Sequence, residues 1–393
     1  MTLSVADVRA HLDRDRLVGR LSELVQAASE NPPGNEAGAA RLAAGYCEEL
    51  GLDVSEHEAD PDRPSILARW TGDGGPTLCY CSHIDVVPAG DPALWEVDPF
   101  AATIRDGRLL GRGSADAKGP IAAALEAVAV LRALGARVSG TLELALVSDE
   151  ETMGFKGAGF LVDEKILRPD LAIVGEPTRL RVVRAQRGAC WYRIVTKGVA
   201  AHGSAPEQGV SAIRHMAELV QHLDETLPDI EHELLGGPSV NVGTIRGGEK
   251  TNIVPASCVI EVDRRTVPGE TEESVRASIE DAIELCRARF PDVDVHVALE
   301  FASRPFEVPE GARVVTEVAG AVTDAVGAPA ALAGFRGASD ARFLAEAGAE
   351  VVVCGPGDIG IAHTAREYID LDELECGAVA YALAFARLLS AGH

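Results

Sequence analysis

No apolar run in this 393-residue sequence is long enough to cross a bilayer; the longest, Cys376 to Ala386, falls well short of the roughly 20 residues that a spanning helix needs. Positive charge is scarce as well. Lys and Arg number 36 against 61 Asp and Glu, a formal charge of −25, which argues against binding to nucleic acid or to an anionic membrane surface, since both reward basic side chains. The eight cysteines, at 47, 79, 81, 190, 258, 286, 354 and 376, include no CxxC pair and sit mostly within apolar runs, so a reduced, cytoplasmic protein is expected. Met1 to Asp7 lack a basic stretch followed by an apolar one, so no secretory signal is expected. Internal repeats and low-complexity segments are also missing.

What the sequence does have is alternation. Its length, with Gly 40 and Pro 21, suits two domains. In the first half, strand patterns at 65–70, 77–82, 141–147 and 171–174 alternate with helical ones, the signature of an α/β sheet covered by helices. Leu17, Leu21, Leu24, Val25 and Ala28 recur at helical spacing until Asn31-Pro32-Pro33-Gly34 stops them. A second helix begins near Pro120, carries Ile121, Leu125, Val128, Leu131 and Leu134, and ends before Gly135, with proline and glycine at the expected ends. Near Gln186-Arg187-Gly188 the order changes to strand (189–197), helix (210–227), strands (239–245 and 257–265), helix (272–289) and strand (293–299). That βαββαβ order predicts a ferredoxin-like sandwich, inserted into the first domain because βα alternation resumes after Arg304. The expected boundaries are 1–186 and 302–393 for the first domain and 187–301 for the insertion.

Acidic and imidazole side chains gather at the predicted strand ends of the first domain. His83 and Asp85, two apart, point to one side, and a ligating histidine needs an acceptor for its other ring nitrogen. Asp116 sits in a glycine-rich loop ahead of the second helix, where one carboxylate could bridge two cations about 3.5–4 Å apart. The phosphate pattern GxxxxGK[ST] is absent there, so a phosphate loop is disfavoured. Asp149-Glu150-Glu151 follow an apolar strand with no basic neighbour until Lys156. A solvated loop end is the simple explanation. The functional one divides the labour, with one glutamate ligating metal and the other, unligated, taking a proton from water. Glu176 ends another buried strand, and His363 follows a strand and a glycine-rich loop. Each has a structural explanation alone; together they predict a site for two divalent, zinc-like cations and a metal-dependent hydrolase.

These residues resemble the M20 metallopeptidase and deacylase family, which includes acetylornithine deacetylase, succinyl-diaminopimelate desuccinylase, aminoacylase and glutamate carboxypeptidases. The likeness runs from Asn31-Pro32-Pro33-Gly34-Asn35-Glu36 to the helix after His363. It implies a mixed-sheet, zinc-peptidase-like α/β catalytic domain with an inserted ferredoxin-like lid that also serves for dimerisation. It implies that His83 and Glu176 hold one metal, Glu151 and His363 the other, and that Asp116 bridges both. Glu150 becomes the general base and Asp85 the partner that orients His83. In the lid, Ala201-His202-Gly203-Ser204-Ala205-Pro206 resembles the motif whose imidazole, often from a neighbouring subunit, polarises the scissile carbonyl, a contribution typically worth about 2.7–4 kcal/mol. Asn252 and Arg265 resemble substrate-side residues; a guanidinium forks onto a carboxylate, and strand alternation sends the neighbouring Arg264 the other way. Ser339, in Gly337-Ala338-Ser339-Asp340-Ala341-Arg342-Phe343, resembles part of the pocket lining.

The reaction so implied is hydrolysis of the amide of an N-acyl amino acid by a metal-bound water, with two Zn²⁺ or Co²⁺ ions and a homodimer formed through the lid. A carboxypeptidase or dipeptidase acting on a short peptide is the alternative, and a metal-binding scaffold without activity a more distant one. Cys79 and Cys81 share the face of His83 but are expected to pack as small hydrophobes. His215 and His222 are expected at the surface, and Trp95 with Pro99-Phe100 to pack a loop near the site entrance.

Overall fold

The computed structural model describes residues 3–390; the expected limits at residues 1 and 393 lie outside the described residues. The chain forms two compact units: Met1–Arg184 with Val308–Ala333 and Ser339–His393, and Ala185–Glu307 with Gly334–Ala338. The second unit thus starts two residues earlier and ends six residues later than the expected 187–301, and it takes in a short segment from beyond the insertion.

In the first unit, strand Thr77–His83 runs parallel to Thr141–Val147 on one side and to Leu171–Val174 on the other, and Leu171–Val174 runs parallel to Glu350–Val353. Ser65–Thr71 and then Asp53–His57 extend the sheet antiparallel beyond Thr141–Val147. The parallel strands are buried along nearly their whole length, which is why they read as continuous apolar runs rather than as alternation. The ladder pairs His83 with Val147, Cys81 with Val174 and Val174 with Val353. Four carboxyl ends therefore emerge along one edge of the sheet, where open α/β sheets bind ligands.

Helix Lys118–Ala133 is buried from Lys118 to Leu131, packed by Leu371–Leu388 and Arg14–Gln26. A helix covered all round is mostly apolar, and the two charges it buries are partnered, Glu126 by Arg16 and Lys118 by the Ala27 carbonyl. Ala122, Ala123, Ala124, Ala127 and Ala129, with Ala378, Ala380, Ala382 and Ala384 of the neighbouring helix, supply small buried side chains that allow close approach. Pro120 falls in the first turn, where its missing N–H costs nothing.

The second unit has strands Gly188–Lys197, Ser239–Gly247, Ser257–Thr266 and Asp294–Ser303 and helices Ala212–His222 and Glu272–Arg289. Its sheet is antiparallel throughout, in the order Ser239–Gly247, Ser257–Thr266, Gly188–Lys197, Asp294–Ser303, the βαββαβ sandwich. Strand Ser257–Thr266 alternates buried with less buried residues, and its inner face joins Tyr192, Ile194, Met216, Leu219, Ile279 and Ile283 in one core. The first helix is shorter than expected. Ser211 caps it by accepting from the Arg214 N–H, and the far end runs toward Pro228, which disfavours helical backbone at Leu227. His215 is a correction: it is 6% exposed, its ring packed 4.7 Å from that of Phe290, because it lies on the apolar face with Met216 and Leu219. Among the described residues, no helix is long and apolar enough to cross a membrane.

Candidate metal centre

Each of the four parallel strands delivers a polar side chain at its carboxyl end. His83 is the last residue of its strand, Glu150 and Glu151 occupy a single 3-10 turn after Thr141–Val147, and Glu176 stands two residues past Leu171–Val174. His363 comes from the loop after Glu350–Val353, with a left-handed backbone (φ 61°). Asp116 arrives from the loop before helix Lys118–Ala133.

The Asp116 carboxylate lies between the two imidazoles, with Oδ1 3.0 Å from His83 Nε2 and Oδ2 3.3 Å from His363 Nε2. Glu176 Oε1 is 3.9 Å from His83 Nε2, and Glu151 Oε2 is 3.0 Å from His363 Nε2. Two donor groups, His83 with Glu176 and His363 with Glu151, thus share one carboxylate. Zinc bonds of about 2.0–2.2 Å in tetrahedral geometry put ligand atoms about 3.4 Å apart, so these spacings suit divalent cations. His83, Asp116 and Glu151 also offer ligand atoms all within 4.8 Å of one another.

Charge points the same way. Burial alone would lower the His83 pKa, yet hydrogen bonding to Asp116 and Asp85 raises it well above the usual histidine range. Hydrogen bonds with Asp116 and Glu151 lift His363 to about 10. Burial tends to raise Asp116, but the two imidazoles hold it below the ordinary carboxylate range. Burial pushes Glu150 and Glu176 well above that range, reinforced at Glu150 by the charge of Glu176 and at Glu176 by that of Asp116. Carboxylates packed this densely call for compensating positive charge.

Asp85 is fully buried and makes more contacts than the sequence suggests. The His83 Nδ1 approaches the Asp85 backbone oxygen at 2.9 Å and its carboxylate at 3.6 Å. That carboxylate accepts the backbone N–H groups of Glu150 (3.3 Å) and Glu151 (3.1 Å) and the Asn31 side-chain amide (2.9 Å). Asp85 therefore holds the turn that carries both glutamates as well as touching His83.

The remaining sequence-predicted residues divide between the units. Ser339, in the first, is 1% exposed. In the second, exposed His202 has its Nδ1 2.7 Å from Ser204 Oγ, and Gly203 N–H donates to the Asn252 carbonyl at 2.8 Å, so His202 and Asn252 sit on neighbouring segments. Arg265 is half-buried and forks onto Asp263 of its own strand. Arg264, on the opposite face, is buried against Glu270. Trp95 is buried, its indole N–H donating to the Ala89 carbonyl and its ring facing Arg112.

Sequence reasoning passed over two buried acids. Asp340 is pushed up to about 7 by burial, against the pull of Arg342 and His83, and its Oδ2 has no hydrogen-bond partner among the described residues. Glu367 accepts the backbone N–H groups of Ala115 and Asp116 at 3.2 Å each and pairs with Arg112, steadying the Asp116 loop. Asp340 adjoins Ser339 and was within reach of motif reading; Glu367 carries no local signal.

The model of peptidase family M20/M25/M40 matches residues 79–387. Succinyl-diaminopimelate desuccinylase of Methylobacillus flagellatus is 30% identical, covering 90% of this chain and 95% of its own. Acetylornithine deacetylase of Myxococcus xanthus is 34% identical, covering 86% and 88%. Among solved structures, aminopeptidase PepT of Bacillus cereus superposes with a TM-score of 0.80 at 26% identity, covering 96% of this chain and 99% of that one.

Proposed function

Because the chain belongs to peptidase family M20/M25/M40, we propose that it is a dinuclear metal-dependent hydrolase cleaving the amide bond of an N-acyl amino acid. The observation that carries this reading is the Asp116 carboxylate shared between His83 and His363, each with its own glutamate. His83, Asp116 and Glu176 would hold one ion and Asp116, Glu151 and His363 the other, with Zn²⁺ favoured by the imidazole and carboxylate donors and Co²⁺ able to replace it. Two such ions, when bound, lower the pKa of a shared water and polarise the scissile carbonyl.

The chain's own residues do the rest. Glu150, whose carboxylate makes no ion pair with any described residue, takes the water's proton and returns it to the departing amine nitrogen. Burial raises its pKa above the ordinary carboxylate range, the direction that makes a carboxylate a stronger base. His202, its Nδ1 anchored by Ser204, donates to the carbonyl oxygen as negative charge develops. Arg265, Asn252 and Ser339 bind the substrate, with Arg265 exchanging Asp263 for its carboxylate. Strand Ser239–Gly247 is the outer strand of its sheet among the described residues, and its Ile245 is 57% exposed, which supports a homodimer through the second unit. The free cysteines, seven of eight buried, support a reducing cytoplasm.

Glu150→Ala should retain both metals by elemental analysis while losing nearly all turnover; an active variant would remove Glu150 from the mechanism. A peptidase is the second reading, favoured by the likeness to aminopeptidase PepT. N-acetyl, N-succinyl, dipeptide and tripeptide substrates assayed side by side with Zn²⁺ or Co²⁺ separate the two, and faster peptide cleavage would replace the deacylase assignment.

A further inference from the structure

Among the described residues, the opening motif Asn31-Pro32-Pro33-Gly34-Asn35-Glu36 makes no hydrogen bond or ion pair with the candidate metal donors, yet two of its three polar residues, Asn31 and Glu36, are buried. Glu36 is 0% exposed and Asn31 1%. Glu36 receives a fork from Arg63, with Nη2 at 2.7 Å and Nε at 3.1 Å. The same guanidinium reaches Asp149 Oδ1 at 2.8 Å, the Arg63 side chain being 9% and that of Asp149 4% exposed. The chain bends close around this arginine: at Gly34 (φ +97°) an added Cβ would stand 2.5 Å from Arg63 Nε. Two carboxylates and one guanidinium out of water carry a desolvation cost that seldom repays in stability, so the triad calls for another explanation.

Asp149 immediately precedes the Glu150–Thr152 turn, and its backbone is left-handed (φ 73°), as is that of Met153 (φ 85°) on the other side. Left-handed backbone at non-glycine residues persists where surroundings over-determine it. The Asp149 side chain supplies that constraint: Oδ1 also accepts from Thr152 Oγ1 at 2.8 Å, and Oδ2 accepts the Lys156 N–H at 2.9 Å. From the other side, Asn31 donates to Thr152 Oγ1 at 2.8 Å as well as to Asp85, and Asp85 takes the N–H groups of Glu150 and Glu151. The turn is gripped at its start, its end and along its backbone.

We propose that Glu36, Arg63 and Asp149 are positioning residues, a buried ion triad that fixes the turn presenting Glu150 to the water and Glu151 to its metal. The proposal rests on the reading of those two glutamates given above. Arg63 sets the place of Asp149, Asp149 sets the turn, and Glu36 holds Arg63 from behind. Misplacement of a reacting group by about 1 Å can cost on the order of 10²-fold in rate.

The test uses the full chain loaded with Zn²⁺ and the variants Asp149→Asn, Arg63→Met and their combination, read by kcat and KM on an N-acyl amino acid, by zinc calorimetry and by melting temperature. Asp149→Asn should lower kcat by about 10²-fold with little change in KM and weaken one of two zinc ions by about 10-fold or more. The double variant should lose no more than Arg63→Met alone, because the two act as one unit. If Arg63→Met fails to fold, the near-isosteric Asp149→Asn carries the test by itself. A folded Asp149→Asn with unchanged kcat and zinc affinities overturns the proposal, and so does a lower melting temperature as its sole effect. Zinc affinity separates this from the assignment of the base: an active Glu150→Ala would end that assignment, while loss of zinc affinity in Asp149→Asn would still uphold the triad.

Discussion

At the scale of single residues, the donor set makes unequal predictions for its members. Asp116 faces both imidazoles, whereas Glu176 approaches only His83 among the described histidines. Asp116→Asn should therefore weaken both bound ions, and Glu176→Gln only one, as read by metal titration; equal effects would contradict a shared carboxylate. Gly34→Ala meets two costs at once, a positive φ and the Arg63 side chain in the way. It should destabilise the protein by about 1–3 kcal/mol, measured by urea unfolding. Four of the five candidate donors stood out in the sequence because each ends or follows an apolar strand, and strand ends are easy to locate; Asp116 stood out through its glycine-rich loop ahead of a helix. The Arg63–Asp149 pair was not, since a lone arginine in Asp62-Arg63-Pro64 reads as surface and nothing local reveals a partner so distant in the chain.

Among the elements, helix Lys118–Ala133 has the least freedom. Leu125 is fully buried within it, and Leu125→Ala should cost about 2–5 kcal/mol, seen as a lower denaturation midpoint with an unchanged m-value. Proline and glycine marked both ends of this helix in the sequence, and its start differs only because Pro120 occupies the third position rather than the first. Helix Ala212–His222 was harder to read. Its apolar spacing is strong, but the pattern cannot tell that the chain leaves the helix before Leu227, nor that His215 faces the core, because a histidine on an apolar stripe takes its burial from what packs against it. In the second unit the alternating strands were legible, since half-buried antiparallel strands write their two faces into the sequence.

For the molecule as a whole, the crowding of acids at one sheet edge should make bound metal a part of folding stability. Removing it with a chelator should lower the melting temperature, and adding Zn²⁺ back should restore it; binding at about 100 times Kd contributes about 2.7 kcal/mol. A melting temperature indifferent to metal would mean that the donors do not bind it. The insertion also has a consequence for synthesis. His83, Asp116, Glu151 and Glu176 all precede the second unit, and His363 follows it, so a ribosome making this chain releases four donors well before the fifth. A nascent chain halted after Arg184 carries the shared carboxylate and one glutamate-histidine group entire, while the other group lacks its imidazole. Metal capture during translation should accordingly be sequential, with one ion able to bind before the second unit exists and the other only once the last quarter of the chain has emerged.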